Sequence, residues 1–449
     1  MKRILTVLVL VGVLAAIVAV SVGFQRDYLA LNPKVRAVNK LFRYHDRAVG
    51  PGVGVLAIKD GSVVLNETWG LANLENRVPL TPASVLDMGS MSKQFTAFAV
   101  ATLVTQGKIS LDDSVREYIP ELPAWGDQVK LSHLVFHTSG IRDWVGTLTI
   151  SGWTQEDVMT QEHINQMAFD QEELVNPPGG RYDYSNTGWN LMGLVIERVT
   201  GQSLRSWLEE NLFQPLGMDA SLVRDDHTEV IPNRALGYKR GRQGFYRVTD
   251  NLMGVGSSSI RTTMEDLARW YLNFDTHAVG GDEVFDVMLN SKSVLDDGTV
   301  HFKRIAFDEG TYRGLPALTH AGIWAGFRHQ FLLFPEDNMY FVVVSNYDGT
   351  RSNCRVRQVA DLFLDDILPE DEEGGGDQED DDDGIGRELE SLPPERLAEY
   401  EGFYRLRRAR YAHVWRDGDS LLATETGEDT VGFVPWREDL FVARDSIHY

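Results

Sequence analysis

Apolar residues recur at two spacings along this chain, and the spacing divides it into elements. Val35, Val38 and Phe42 follow Asn32-Pro33 at helical intervals, with an N-cap residue ahead of a proline at the first helical position. Residues 53–58 and 63–69 are β-rich runs joined around Asp60-Gly61, a hairpin signal. From Met91 to Gln106 the period is helical, with Phe95, Phe98, Val100, Leu103 and Val104 on a broad apolar face and Gly107 at the end. Residues 107–256 read as helix and loop with few strand-like runs; Leu131 to Phe136 and the amphipathic stretch Trp189 to Val199, closed by Gly201, are the clearest elements. Thr263-Met264-Glu265-Asp266 has the capping-box pattern ahead of a helix over 267–274. Strand character returns at 315–320, 327–334 and 339–345, the last two separated by the turn Pro335-Glu336-Asp337-Asn338, and 355–368 reads as a helix.

The order is a helix and two strands, a helical block, then three strands and a helix. Sequence-distant strands are thus expected to complete one antiparallel sheet, with an all-helical domain inserted between them, an α+β architecture. On this reading residues 28–368 form one domain, with the insertion at about 107–256. Residues 369–394 are an acidic linker with Gly374-Gly375-Gly376 in its middle. Residues 395–449 carry short β-rich runs (403–406, 413–415, 421–424, 440–443), a small β-meander. Fifty-odd residues are too few for a closed eight-stranded barrel, and the domain is either minimal or shortened.

Composition adds three constraints. The formal charge is −23, ten of the acids falling within residues 370–383, and no basic patch follows a phosphate backbone. That excludes nucleic acid as a partner. A single cysteine, Cys354, rules out an intramolecular disulfide and any Cys-based zinc site. The chain opens Met1-Lys2-Arg3 and then runs apolar from Ile4 to Val22. A basic start before an apolar run is an export signal, so residues 1–23 are a cleaved signal peptide or a retained membrane anchor. The expected location is periplasmic or extracellular, with any membrane contact confined to residues 4–22.

The candidate chemistry lies in Gly89-Ser90-Met91-Ser92-Lys93. Ser90 and Lys93 are three apart on a helix start and share a face. A serine hydroxyl is a weak nucleophile until a base takes its proton, and lysine serves only when burial or cationic neighbours lower its pKa. Ser-x-x-Lys alone is expected about once by chance in such a chain. Tyr-x-Asn occurs twice, at Tyr184-Ser185-Asn186 and at Tyr271-Leu272-Asn273; the second sits within an amphipathic helix, the first in a polar loop just before one. His320-Ala321-Gly322 lies on a late strand, where a lone histidine is more often structural.

Order and context make these a set. Ser90, Tyr184 and His320 fall in sequence on a helix start, a loop and a strand, three walls of a cleft between sheet and helices. The arrangement resembles the serine β-lactamase and penicillin-binding superfamily, marked by Ser-x-x-Lys, Ser/Tyr-x-Asn and Lys-Thr-Gly. The tyrosine form is similar to class C β-lactamases, D-aminopeptidases, D-Ala-D-Ala carboxypeptidases and β-lactamase-fold esterases. Gly107-Lys108-Ile109-Ser110-Leu111-Asp112-Asp113 and His137-Thr138-Ser139-Gly140 extend the likeness over roughly residues 30–368, and the trailing β-meander resembles a lipocalin-like appendage. The resemblance implies a β-lactamase/transpeptidase-like fold with Ser90 as acylated nucleophile and Lys93 and Tyr184 as its activators. Asn186 would bind the substrate amide carbonyl or hold Lys93. The N–H groups of Ser90 and Ile323, beside His320 and Gly322, would form the oxyanion hole. Lys93 and His320 would have to lower the Tyr184 pKa for it to act as a base.

No metal or organic cofactor is implied. The third motif departs from the family pattern: His-Ala-Gly replaces Lys-Thr-Gly, and a partly charged histidine would attract a substrate carboxylate weakly and in a pH-dependent way. The expectation is an exported serine hydrolase acting on a D-amino-acid-containing peptide amide or an ester. A β-lactamase or carboxylesterase is the alternative within the fold. A non-hydrolytic penicillin- or cell-wall-binding protein is the alternative of another class.

Overall fold

The computed structural model describes residues 32–43, 49–241 and 244–364, together with the backbone of five strands between 402 and 443. The expected export segment, the acidic linker and the end of the helix expected over 355–368 lie outside the described residues. The chain divides into two compact units, Met1–Asp371 and Glu372–Tyr449.

The first helix, α1 (Pro33–Phe42), begins where Asn32 Oδ1 accepts the Lys34 N–H at 2.9 Å, and it buries Val35, Val38 and Phe42. Strands β1 (Val53–Lys59) and β2 (Ser62–Trp69) are joined by Asp60 and Gly61, both at positive φ (50° and 68°), as a tight hairpin requires. The two-residue strand β3 (Leu86–Asp87) leads into a 3-10 turn, Gly89–Ser92, and then α2 (Lys93–Thr105). Ser90 therefore sits on that turn, one step before the α-helix expected from 91. The helix is buried from Lys93 through Ala101 rather than on one face, because it runs through the core instead of along a surface.

The inserted block carries α3 (Leu131–Val135), α4 (Trp144–Ser151) and α5 (Asn186–Thr200). It is less purely helical than expected. A short strand, β4 (Leu222–Val223), pairs with β5 (Ile260–Thr262), which also pairs with β3, and Tyr238–Gly241 and Gly244–Arg247 form a hairpin. These strands are too short for a period of two to register. Helix α6 (Met264–Thr276) starts at the Thr263 cap.

The late strands are β6 (Lys303–Arg304), β7 (Phe307–Tyr312), β8 (Leu315–Trp324), β9 (Phe327–Phe334) and β10 (Met339–Ser345), followed by α7 (Ser352–Leu364). They join the first hairpin in one antiparallel sheet of order β6-β7-β8-β9-β10-β1-β2, with Val53 opposite Ser345. The chain's first and late strands thus complete one sheet, as expected, with β6 and β7 added beyond β8. Both faces are covered. Tyr340, Val342 and Val344 pack into the core shared with the inserted helices, and Met339, Phe341 and Val343 pack against α1 and α7. Burial on both sides explains why the central strand reads as a continuous apolar run.

The second unit is an antiparallel meander of five strands, Gly402–Arg407, Arg410–Asp417, Ser420–Glu425, Thr430–Arg437 and Leu440–Ala443, one more than the four runs expected. Among the described residues no helix is long and apolar enough to cross a membrane.

Candidate active site

Ser90 lies where the end of β3, the start of α2 and the edge of β8 converge. Gly89 takes φ +51°, and a Cβ there would lie 2.8 Å from the Ile323 backbone nitrogen. A Cβ on Gly322 would lie 2.3 Å from the Met88 carbonyl oxygen. Two glycines thus let the serine turn and the His-Ala-Gly strand meet backbone to backbone. Ile323 lines the cleft with its side chain half exposed, and its main chain abuts the residue preceding Ser90.

Lys93 is fully buried, and its Nζ has three partners: Ser90 Oγ at 3.2 Å, Asn186 Oδ1 at 2.8 Å and the Ser257 carbonyl oxygen at 2.9 Å. Burial, opposed by Asp143 and aided by Lys303, lowers its pKa from 10.5 to about 7. With two acceptors taking its two N–H bonds, the neutral amine turns its lone pair toward Ser90.

Tyr184 Oη donates to Ser90 Oγ at 3.0 Å, and its ring stacks on His137 with centroids 4.2 Å apart. Burial pushes the phenol well above its ordinary value of 10. The expectation that neighbours would lower it is overturned: loss of solvent around the ring outweighs the hydrogen bond with Ser90, so Tyr184 is a proton donor at neutral pH.

His320 is buried, its Nδ1–H donates to the Ala321 carbonyl oxygen at 2.7 Å, and its ring lies 6.5 Å from that of Tyr184. Burial, with repulsion from Lys303 and Lys93, lowers its pKa to about 4. It is therefore neutral at pH 7 instead of partly charged, and it attracts no carboxylate there.

Asn186 opens α5, and Asp143 caps α4. Asp143 Oδ1 accepts both the backbone N–H of Asn186 at 2.7 Å and its carboxamide N–H at 3.0 Å. Of the two roles considered for Asn186, the one observed is holding Lys93.

The structure gathers the seven sequence-derived residues around Ser90, with Ser90, Asn186 and Ile323 lining the cleft, and adds others. Asp143 looks like an ordinary helix cap in the sequence, and Ser257 contributes only a main-chain carbonyl. Lys303, 6% exposed and paired with Asp308, reaches within 6.0 Å of the Tyr184 ring centroid and 5.3 Å of that of Tyr182. Its one signal in the sequence is that lysine is scarce. A cavity of about 300 Å³ opens from Ser90 and Asn186, walled by Trp144, Leu252 and Trp324 and reaching Lys239, Arg328 and Asp348. Among the described residues no group of three or more His, Cys, Asp or Glu side chains is arranged to hold a metal.

Comparison with known proteins agrees with this fold. Residues 38–364 match the beta-lactamase family, and the chain belongs to that family, whose fold serves serine hydrolases. It is 26% identical over 304 residues to a D-aminopeptidase of Gluconobacter oxydans, covering 67% of this chain and 57% of that protein. The chain thus spans less than two thirds of that curated relative's length. Among solved structures, the octameric penicillin-binding protein homologue from Pyrococcus abyssi superposes with a TM-score of 0.67 at 24% identity, over 91% of this chain and 93% of that one. A D-amino acid amidase from Ochrobactrum anthropi SV3 superposes at 0.64 and 19% identity, over 75% and 99%. These two likenesses concern the fold.

Proposed function

We propose that the protein hydrolyses a D-amino-acid-containing peptide amide, or an ester, through an acyl-enzyme on Ser90. The observation that carries this is Lys93: a buried amine whose pKa is lowered to about 7, so that a large share is neutral near that pH, 3.2 Å from Ser90 Oγ with its other hydrogen-bonding directions filled. Lys93 takes the hydroxyl proton as Oγ bonds to the carbonyl carbon, and the oxyanion that forms faces the N–H groups of Ser90 and Ile323. Tyr184 passes its proton to the leaving nitrogen, the carbon–nitrogen bond breaks, and the proton gained by Lys93 restores the phenol. Water then attacks the acyl carbon and gives a proton to Lys93; the bond from that carbon to Oγ breaks, and Lys93 returns the proton to Ser90 Oγ. The apolar walls at Trp144, Leu252 and Trp324 suit an uncharged side chain. The D-aminopeptidase relative supports the choice of a D-residue. A neutral His320 argues against a penicillin as the preferred substrate, because it offers no charge to a carboxylate. The basic and apolar start of the chain supports export; recovery of the whole pool in the cytoplasm of a bacterial host would reject it.

The test is intact-protein mass after separate incubation with a penicillin, a D-alanyl anilide and a short-chain nitrophenyl ester, with product release followed in parallel. Ser90-dependent turnover of anilide or ester above that of penicillin is expected. Comparable penicillin turnover favours a β-lactamase. No adduct and no turnover, with ligand affinity equal in wild type and Ser90→Ala, favours a binding protein.

A further inference from the structure

Behind the cleft lies a charged cluster that the chemistry at Ser90 does not use. Asp87, Arg224, Asp250 and Arg261 are each at most 5% exposed. Taking ions out of water is costly before they pair, so such a cluster is a poor way to gain stability alone. Its geometry suggests another use. Arg261 on β5 stands opposite Asp87 on β3, and its Nη1 donates to Asp87 Oδ1 at 2.8 Å. Its Nη2 donates to Asp250 Oδ2 at 2.5 Å. Asp87 Oδ1 also accepts the Gly89 N–H at 2.8 Å, which grips the turn just before Ser90. Asp250 Oδ1 accepts the indole N–H of Trp324 at 2.9 Å, the residue after Ile323. Arg224 and Arg234 donate to the same Asp250 Oδ2, at 3.0 and 3.3 Å.

One guanidinium therefore joins two carboxylates, one fastened to each wall of the gap between Ser90 and Ile323. We propose that Arg261 is a positioning residue: acting through Asp87 and Asp250, it sets the distance between the Gly89–Ser90 turn and the end of β8, and so the width of the oxyanion pocket. A planar fork can span both carboxylates, whereas the point charge of a lysine cannot. The inference rests on the acyl-enzyme reading, since only an oxyanion makes that width matter.

The test uses the full chain and the variants Arg261→Lys and Trp324→Phe. The second keeps a ring beside Trp144, whose centroid lies 6.0 Å away, and removes the donor to Asp250; because Trp324 also walls the substrate cavity, loss of that wall is read in KM and loss of the donor in kcat. kcat and KM are measured with the nitrophenyl ester and the D-alanyl anilide, together with thermal unfolding and a Ser90→Ala baseline. The expected result is a fall in kcat of about tenfold or more in each variant, with KM within about twofold in Arg261→Lys, because misplaced donors act on the transition state. The double variant should be no slower than the worse single one, since both act through Asp250. Unchanged kcat in Trp324→Phe, additive losses, or losses that follow the melting temperature and vanish on cooling would overturn the proposal. If Arg261→Lys does not fold, Trp324→Phe alone decides. Wild-type turnover with unaffected variants rejects this inference only; absence of Ser90-dependent turnover in the wild type rejects the acyl-enzyme reading and this inference with it.

Discussion

Asp143 decides which way Asn186 faces. Its Oδ1 takes the carboxamide N–H at 3.0 Å and leaves the carboxamide oxygen turned to Lys93 at 2.8 Å. Its charge also favours protonated Lys93. Asp143→Asn should therefore shift the acid limb of the pH–rate profile to lower pH, because removing an anion makes the lysine easier to deprotonate. Asp143→Ala should shift it likewise and cost about a further tenfold in kcat, since Asn186 is then free to turn. An acid limb that moves upward in both variants would reject this coupling.

The wild-type profile follows from Lys93. With its pKa near 7, kcat/KM should rise about tenfold per pH unit below that value and level off above it. Stability carries the same sign. The folded value lies below the ordinary 10.5, so between about 7 and 10.5 the unfolded chain binds the extra proton. The lysine's contribution is fully destabilising below about 7 and is relieved as pH rises through that window. Denaturant unfolding of wild type against Lys93→Met at several pH values measures it: the difference between the two proteins should shrink as pH rises.

Tyr184→Phe keeps the stack on His137 and removes the donor to Ser90 Oγ. Amide hydrolysis should fall by about 10²–10³, whereas a nitrophenyl ester, whose leaving group departs without a proton, should lose far less. Equal losses on both substrates would mean that the phenol acts on Ser90 alone.

Gly322→Ala tests the close approach of β8 to the serine turn. The added methyl would sit 2.3 Å from the Met88 carbonyl oxygen, and backbone cannot yield as a side chain does. A loss of about 1–3 kcal/mol of stability is expected, with kcat reduced in the molecules that remain folded. Thermal unfolding and active-site titration separate the two effects.

Much of the fold was legible because its signals are local. The cap at Asn32, the Asp60-Gly61 hairpin and the strands 327–334 and 339–345 follow from a few neighbouring residues each. The extra strands β3 to β7 were not legible, since two to six residues carry too little pattern. The all-round burial of α2 was hidden for a different reason: a helix shows its neighbours only through its apolar face, and here every face has one.

The sequence by itself determined the pairing of Ser90 with Lys93, through a three-residue spacing, and the order of the motifs that marks the family. Tertiary structure alone decided the protonation states: a lysine lowered to about 7, a tyrosine raised, a histidine lowered to about 4. It also decided the partners Asp143, Ser257 and Lys303, and the bridge through Arg261. The reason is physical: hydrogen-bond spacing along a helix is local, whereas desolvation and ion pairing depend on everything that packs around a group.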